Sequence, residues 1–132
     1  MTDRAYVLDT SAYSSYLRGN QQLQKWFDGT YAISVPLIAI AELRAGFSLG
    51  MKKAENERLL TRFLDASSVE VVSITLKTTE VFASLFSRAK KAGVAVGTND
   101  LWIAAIAAEH NLPILTLDKD FERMPGVRVI KV

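Results

Sequence analysis

The sequence contains no cysteine and a single histidine, His110. Without cysteine there can be neither a disulfide bond nor a thiolate metal site, and a reducing compartment is the natural environment. One histidine also excludes a zinc site built from several imidazoles. A metal ion bound by this chain would therefore need oxygen ligands, which favours Mg²⁺ or Mn²⁺.

Long apolar segments are also missing. The longest unbroken apolar run covers residues 101–108, far short of the roughly 18 residues that a membrane-spanning helix needs. The first 13 residues contain no apolar run of the kind found in a secretory signal. These absences predict a cytoplasmic protein that has no membrane partner.

The overall composition is that of an ordinary folded domain. The 132 residues are 49% hydrophobic and 23% charged, enough for one hydrophobic core and too few for two. We therefore expect one domain over residues 1–132. The formal net charge of +2 is only mildly basic, so charge alone does not establish a nucleic-acid partner.

Strand and helix patterns alternate along the chain. Short apolar runs followed by polar residues predict strands at 5–8, 32–34, 69–74, 114–117 and 127–132. Helical patterns between them predict helices at 11–18, 23–27, 36–50, 54–65, 75–92 and 99–109. This alternation predicts a three-layer α/β domain in which helices flank a mostly parallel central sheet.

Four acidic residues occupy positions that are unusual for surface carboxylates. Asp9 and Asp118 each follow an apolar strand, and open α/β sheets bind ligands in the crevice outside the carboxyl ends of their strands. Glu42 lies within an apolar helical segment, where an unpaired carboxylate is costly. Asp100 opens a helix that is otherwise nearly all apolar. In one crevice, these carboxylates would bind Mg²⁺ or Mn²⁺ and support phosphoryl chemistry.

Each of these acids also has a simpler interpretation. Asp9 and Asp118 can cap helix N-termini, and Asp100 can interact favourably with a helix dipole. Glu42 can reach water from the edge of a buried stripe. The remaining acids lie beside charges, turns or polar faces and are interpreted as solvated, although Asp120 comes only two positions after Asp118.

Several segments together resemble the PIN-domain family, and within it the VapC toxins of toxin–antitoxin pairs. They are YVLDTSAY at the start, IAIAELRAG around Glu42, GTNDLWIAAIAAEHNLPILTLDKDF near the end, and the closing MPGVRVI. They follow one another in the order and spacing of the family over the whole chain. The resemblance implies a catalytic quartet that binds Mg²⁺ or Mn²⁺, and it falls on Asp9, Glu42, Asp100 and Asp118.

The resemblance has further implications for activity and partners. It implies an endoribonuclease that cleaves RNA phosphodiester bonds with a metal-activated water, and an antitoxin of the VapB type as partner. We also expect a homodimer. Accessory polar roles near the site fall on Thr10, Ser11, Asn99 and Thr116.

Three other functions fit parts of the pattern. A haloacid-dehalogenase-like phosphatase also places Asp after the first strand, but it needs a second Asp two positions on, where this chain has Ser11. A PIN-like module that binds RNA or protein without cutting usually lacks one of the four acids, which are all present here. A stand-alone PIN nuclease of RNA processing or decay would share every residue, and only an antitoxin partner would distinguish it.

Overall fold

Five parallel strands in the order β3-β2-β1-β4-β5 form the central sheet of the computed structural model, which describes residues 4–132. The strands are Ala5–Leu8 (β1), Ala32–Pro36 (β2), Val69–Val72 (β3), Ile114–Leu115 (β4) and Val129–Ile130 (β5). β1 lies at the centre, between β2 and β4. Because the strands are parallel, all their carboxyl ends lie at the same edge of the sheet, where α/β proteins bind ligands.

Helices connect the strands, as the sequence pattern predicted. In the described part of the chain they are Thr10–Leu17 (α1), Leu37–Leu49 (α2), Lys53–Leu64 (α3), Leu76–Lys91 (α4) and Thr98–Glu109 (α5), with 3₁₀ helices at Gln21–Phe27 and Lys119–Arg123. None of the helices within residues 4–132 has the length and apolar character required to span a bilayer. The predicted α/β fold with helices around a parallel sheet is confirmed.

The core has two halves, one on each face of the sheet. Tyr6 and Leu8 of β1 pack with residues of α1 and α3, whereas Val7 packs with α5 and α4. Successive side chains of a strand point to opposite faces, so helices cover both faces of the sheet. The apolar sequence of α5 reflects this position, since most of its residues from Leu101 to Ala107 are buried.

Three strands are shorter than predicted, and α2 begins one residue later. β3 ends at Val72, β4 covers only Ile114–Leu115 and β5 covers only Val129–Ile130, while Pro36 closes β2 instead of opening α2. β4 ends early because the N–H of Asp118 donates to the hydroxyl of Thr116, at 2.9 Å, rather than to a neighbouring strand. Residues 116–118 therefore turn at the carboxyl edge of the sheet, next to the end of β1.

Candidate active site

Asp9 follows β1 at the carboxyl edge and is buried, with 3% of its surface exposed. It stands at the N-cap position of α1, but its side chain makes no capping hydrogen bond. Its Oδ2 instead accepts hydrogen bonds from Ser11 Oγ, at 2.8 Å, and from Thr116 Oγ1, at 2.7 Å. Thr10 Oγ1 lies 3.5 Å from Oδ1, a weaker contact. The capping interpretation of Asp9 is wrong, and the side chain is held by hydroxyl donors.

The Ser11 and Thr116 hydroxyls connect the ends of β1 and β4. Their oxygen atoms are 3.1 Å apart. Ser11 Oγ accepts the N–H of Leu117, at 3.0 Å, and Thr116 Oγ1 accepts the N–H of Asp118. The two hydroxyls thus orient the carboxylate of Asp9 and, at the same time, fix the backbone that carries Asp118.

Asp118 opens the 3₁₀ helix Lys119–Arg123, and its Oδ1 accepts the N–H of Asp120 at 2.9 Å. The capping interpretation of Asp118 is therefore confirmed, but this bond engages only one carboxylate oxygen. One carboxylate oxygen each from Asp100, Asp118 and Asp120 lie within 4.8 Å of one another. Asp118 thus caps a helix and belongs to a cluster of acids.

Asp120 was interpreted as solvated from the sequence, and the structure shows it partly exposed but also within the acidic cluster. Its carboxylate belongs to the cluster with Asp100 and Asp118, and it also pairs with the guanidinium of Arg123. Its side chain is 48% exposed. A short 3₁₀ turn folds Asp120 back beside Asp118, and the spacing of two residues was the only sequence signal for this.

Glu42 lies on α2 and faces Asn99 of α5. Glu42 Oε2 accepts a hydrogen bond from Asn99 Nδ2 at 3.3 Å, whereas Oε1 is buried and has no hydrogen-bond partner among the described residues. Burial raises the pKa of Glu42, the Asn99 bond lowers it in part, and the negative charge of Asp9 raises it further. A buried carboxylate oxygen without a partner is unfavourable unless something else binds it.

Asp100 lies in the first turn of α5, close to the other acidic residues of the site. Burial, together with repulsion from Asp9, Asp118, Glu42 and Asp120, raises the pKa of Asp100 to about 6. The fold therefore holds five carboxyl groups close together: Asp100 and the four whose negative charges disfavour its ionisation. All four residues of the predicted quartet are among them.

These residues fit a divalent cation. The available side-chain donors are carboxylate, hydroxyl and amide oxygens, which hard cations prefer. A cation would bind the unpartnered Oε1 of Glu42 and offset the repulsion that raises the pKa of Asp100. An open depression beside the carboxylates is lined by Glu42 and residues 97–100.

A PIN-domain family model matches residues 6–127 of the chain. The chain belongs to the PIN-domain family. Relatives of this PIN domain include Ribonuclease VapC4 of Mycobacterium tuberculosis, 34% identical over 102 residues that cover 77% of this chain and 78% of the relative. Ribonuclease VapC2 of Rickettsia felis is 34% identical over 131 residues and covers 92% of this chain and 93% of the relative. The resemblance predicted from the sequence is confirmed.

Solved structures of the same family have the same fold as this PIN domain. The structure of VapBC2 from Rickettsia felis bound to a promoter DNA fragment matches with a TM-score of 0.83 and 26% identity, over 96% of this chain and 97% of that one. The structure of VapBC-5 from Mycobacterium tuberculosis, a member of the VapBC family of toxin–antitoxin systems, also matches. Its TM-score is 0.73 and its identity 28%, over 98% of this chain and 99% of that one.

The accessory residues predicted for the PIN domain differ in how they contact the acids. Ser11 and Thr116 donate to Asp9, and Asn99 donates to Glu42. Thr10 is at the limit of hydrogen-bonding distance from Asp9. The structure thus gives Ser11 rather than Thr10 the main contact to the first acid.

Proposed function

We propose that this PIN domain is a metal-dependent endoribonuclease and the toxin of a type II toxin–antitoxin pair. The observation that carries the proposal is the convergence of Asp9, Glu42, Asp100 and Asp118 at one edge of the sheet, with a carboxylate oxygen of Glu42 left without a partner. The names of its relatives, ribonucleases VapC, supply the reaction class.

The four acids would hold Mg²⁺ or Mn²⁺, both of which favour oxygen ligands. When bound, such an ion lowers the pKa of a water molecule and offsets negative charge on the phosphoryl oxygens. The chain itself orients the site: Ser11 and Thr116 hold Asp9, and Asn99 holds Glu42. The depression at residues 97–100 would admit the phosphodiester group.

The proposal includes a protein partner. The Mycobacterium tuberculosis relative in the structural comparison belongs to a toxin–antitoxin system, so we expect a VapB-type antitoxin to bind this chain. An arginine of that antitoxin would form charge-assisted hydrogen bonds with the clustered carboxylates and compete with the metal. We further propose that the protein is a cytoplasmic homodimer made of single PIN domains.

Cleavage of RNA by the purified protein tests the enzymatic part. We expect cleavage with Mg²⁺ or Mn²⁺ and none with EDTA. Asp9→Asn, Glu42→Gln and Asp100→Asn should each lower the rate by at least about 100-fold, because loss of a group that merely supports a metal ligand already costs about 10- to 100-fold. Glu70→Gln, at an exposed acid on β3, is the matched control and should retain full activity. Cleavage that persists in exhaustive EDTA would refute the mechanism.

Growth of the host cell tests the toxin part. Expression of the wild-type chain alone should arrest growth, whereas Asp100→Asn should be tolerated because the nuclease site is incomplete. Co-expression of a candidate antitoxin should restore growth and yield a complex on purification. Normal growth with a nuclease that is active in vitro, and no partner captured from its own host, would instead support a stand-alone RNA-processing enzyme.

A further inference from the structure

The C-terminal half of α4 carries an aromatic side chain that the core does not use. Phe86 is 49% exposed, and among the described residues it stacks on no other ring. Phe82, one turn earlier, packs against Trp102 with ring centroids 4.1 Å apart. Phe82 therefore packs between α4 and α5, whereas Phe86 lies at the surface.

Phe86 lines a cavity of about 240 Å³ that we call the Phe86 cavity. Its other lining residues are Ala89, Lys90, Val94, Ala95, Val96 and Leu101. Every lining side chain except that of Lys90 is apolar. The cavity can therefore hold a flat apolar group, but its side chains cannot read a pattern of donors and acceptors.

The Phe86 cavity lies beside the acidic site. α4 and α5 are antiparallel, since Thr78 near the start of α4 donates to Glu109 at the end of α5 at 2.7 Å. The end of α4 therefore lies near the start of α5, where Asp100 is found. Val96 and Leu101, which line the cavity, flank the segment 97–100 that lines the acidic depression.

A positive charge accompanies the aromatic ring. Lys90 Nζ lies 6.0 Å from the centroid of Phe86. None of the ion pairs between the residues that the structure describes involves Lys90. An aromatic face for a base and a lysine for the adjoining phosphate are the two elements with which proteins bind single-stranded nucleic acid.

We propose that the Phe86 cavity binds an unpaired base of the RNA substrate, next to the phosphodiester group that lies at the acidic site. The base stacks on Phe86, and Lys90 contacts a neighbouring phosphate. The inference rests on the proposed nuclease function and adds the form of the substrate. Bases inside a duplex are already stacked, so the substrate must be single-stranded at this position.

An RNA with missing bases tests the cavity directly. An oligonucleotide that the wild-type protein cuts at a mapped bond is remade with one abasic nucleotide at each of three positions on either side of that bond. We expect one position at which the abasic change lowers kcat/KM by about 5- to 150-fold, the range for loss of one stacked base. Exchange of one base for another at that position should have a much smaller effect.

The Phe86→Ala variant and the abasic RNA together form a double-mutant cycle. The variant should lose a similar factor on the intact RNA, and the abasic change at the sensitive position should then cause no further loss, because both changes remove the same contact. Phe86→Leu keeps apolar bulk without the ring and should lie between wild type and Phe86→Ala. Leu76→Ala, at a residue of α4 that is 85% exposed, is the matched control and should behave as wild type.

The possible failures are distinguishable. Full activity of Phe86→Ala, or losses from Phe86→Ala and the abasic change that multiply independently, would refute the base site and leave the nuclease function intact. A change in oligomeric state of Phe86→Ala by light scattering would show instead that this surface joins two copies of the chain. A wild-type protein that neither cuts nor binds any RNA would refute both proposals.

Discussion

Asp100 shows how burial and charge act together on one residue. Its pKa is raised from 3.8 to about 6, so the folded metal-free protein binds a proton more readily than the unfolded chain between about pH 4 and pH 6. Stability falls as pH rises wherever the folded state binds more protons. Asp100 therefore destabilises the metal-free fold above about pH 6, and this effect disappears as the pH falls toward 4.

Thermal melts of wild type and Asp100→Asn test this linkage. In EDTA at pH 7.5 we expect the variant to melt at the higher temperature, with a difference that vanishes near pH 4. Mn²⁺ should reverse the order, because an ion at 100 times its Kd adds about 2.7 kcal/mol to a protein that binds it only when folded. That corresponds to a rise in Tm of several degrees. If Mn²⁺ raised the Tm of both proteins equally, Asp100 would not bind the metal and would act only as an acidic residue in the first turn of α5.

Asp118 and Asp120 belong to the same turn but differ in their surroundings. Asp120 shares its carboxylate with Arg123 and is half exposed, whereas Asp118 is fixed through the backbone bond to Thr116. We expect Asp118→Asn to lower RNA cleavage by at least about 100-fold and Asp120→Asn by about 10-fold, the smaller effect of a supporting group. Titration of Mn²⁺ against both variants would show whether the difference follows metal affinity.

The sequence predicted the residues of this site unevenly. Glu42 was recognisable because a carboxylate within an apolar segment needs a partner. Asp120 was placed in the turn after Asp118 but interpreted as solvated, because spacing alone could not show that its carboxylate lies near that of Asp100. The contact between Asn99 and Glu42 joins two helices that are distant in the chain. Local sequence patterns could not predict this contact, and only the family resemblance indicated that Asn99 lies near the site.

Among the elements, the ends of β1 and β4 depend most on side-chain hydrogen bonds. Thr116 is 5% exposed and donates to Asp9 while it accepts from the N–H of Asp118. The apolar pattern through residue 117 could not show where β4 stops, because the stop is made by this hydroxyl. α4 was predicted closely, since Thr75 caps its start and Gly93, with a φ of 74°, follows its end.

Thr116→Val tests this junction with almost no change of shape. It leaves the N–H of Asp118 without its partner and removes a donor from Asp9, so we expect a loss of about 1–3 kcal/mol in stability. Cleavage should fall by about 10- to 100-fold as well. Thr116→Ser keeps the hydroxyl and should recover most of both. Activity near wild type in the folded valine variant would mean that Asp9 is positioned by Ser11 alone.

Over the whole molecule, acidic residues are concentrated at the site and basic residues on the remaining surface. The chain has 16 basic and 14 acidic residues, and four of the acids, Asp9, Glu42, Asp118 and Asp120, lie near a fifth, Asp100, at one site. The remaining surface therefore carries an excess of positive charge, which attracts RNA phosphates. The clustered carboxylates, by contrast, repel phosphates.

The affinity for a fluorescent single-stranded RNA should depend on this uneven distribution of charge. We expect the affinity of the wild-type protein to increase when Ca²⁺, which takes oxygen ligands, replaces EDTA at constant ionic strength. The Glu42→Gln/Asp100→Asn variant should bind RNA more tightly than wild type in EDTA, because less negative charge faces the phosphates, and should gain little from Ca²⁺. Fluorescence anisotropy measures both. An identical response of the two proteins would place the RNA away from the acids.

The hydrogen bond between Thr116 and Asp9 spans 107 positions of the chain, and this separation bears on how the protein is made. A ribosome synthesises Asp9 well before it reaches Thr116, which orients Asp9, and Asp118, which follows two positions later. β1 must likewise wait for β4 before it has a neighbour on that side, and such distant pairings form slowly. A nascent chain therefore holds an incomplete set of these carboxylates until residue 118 has been added. The acidic site can therefore assemble only after the segment that carries Thr116 and Asp118 has been synthesised and has folded against β1.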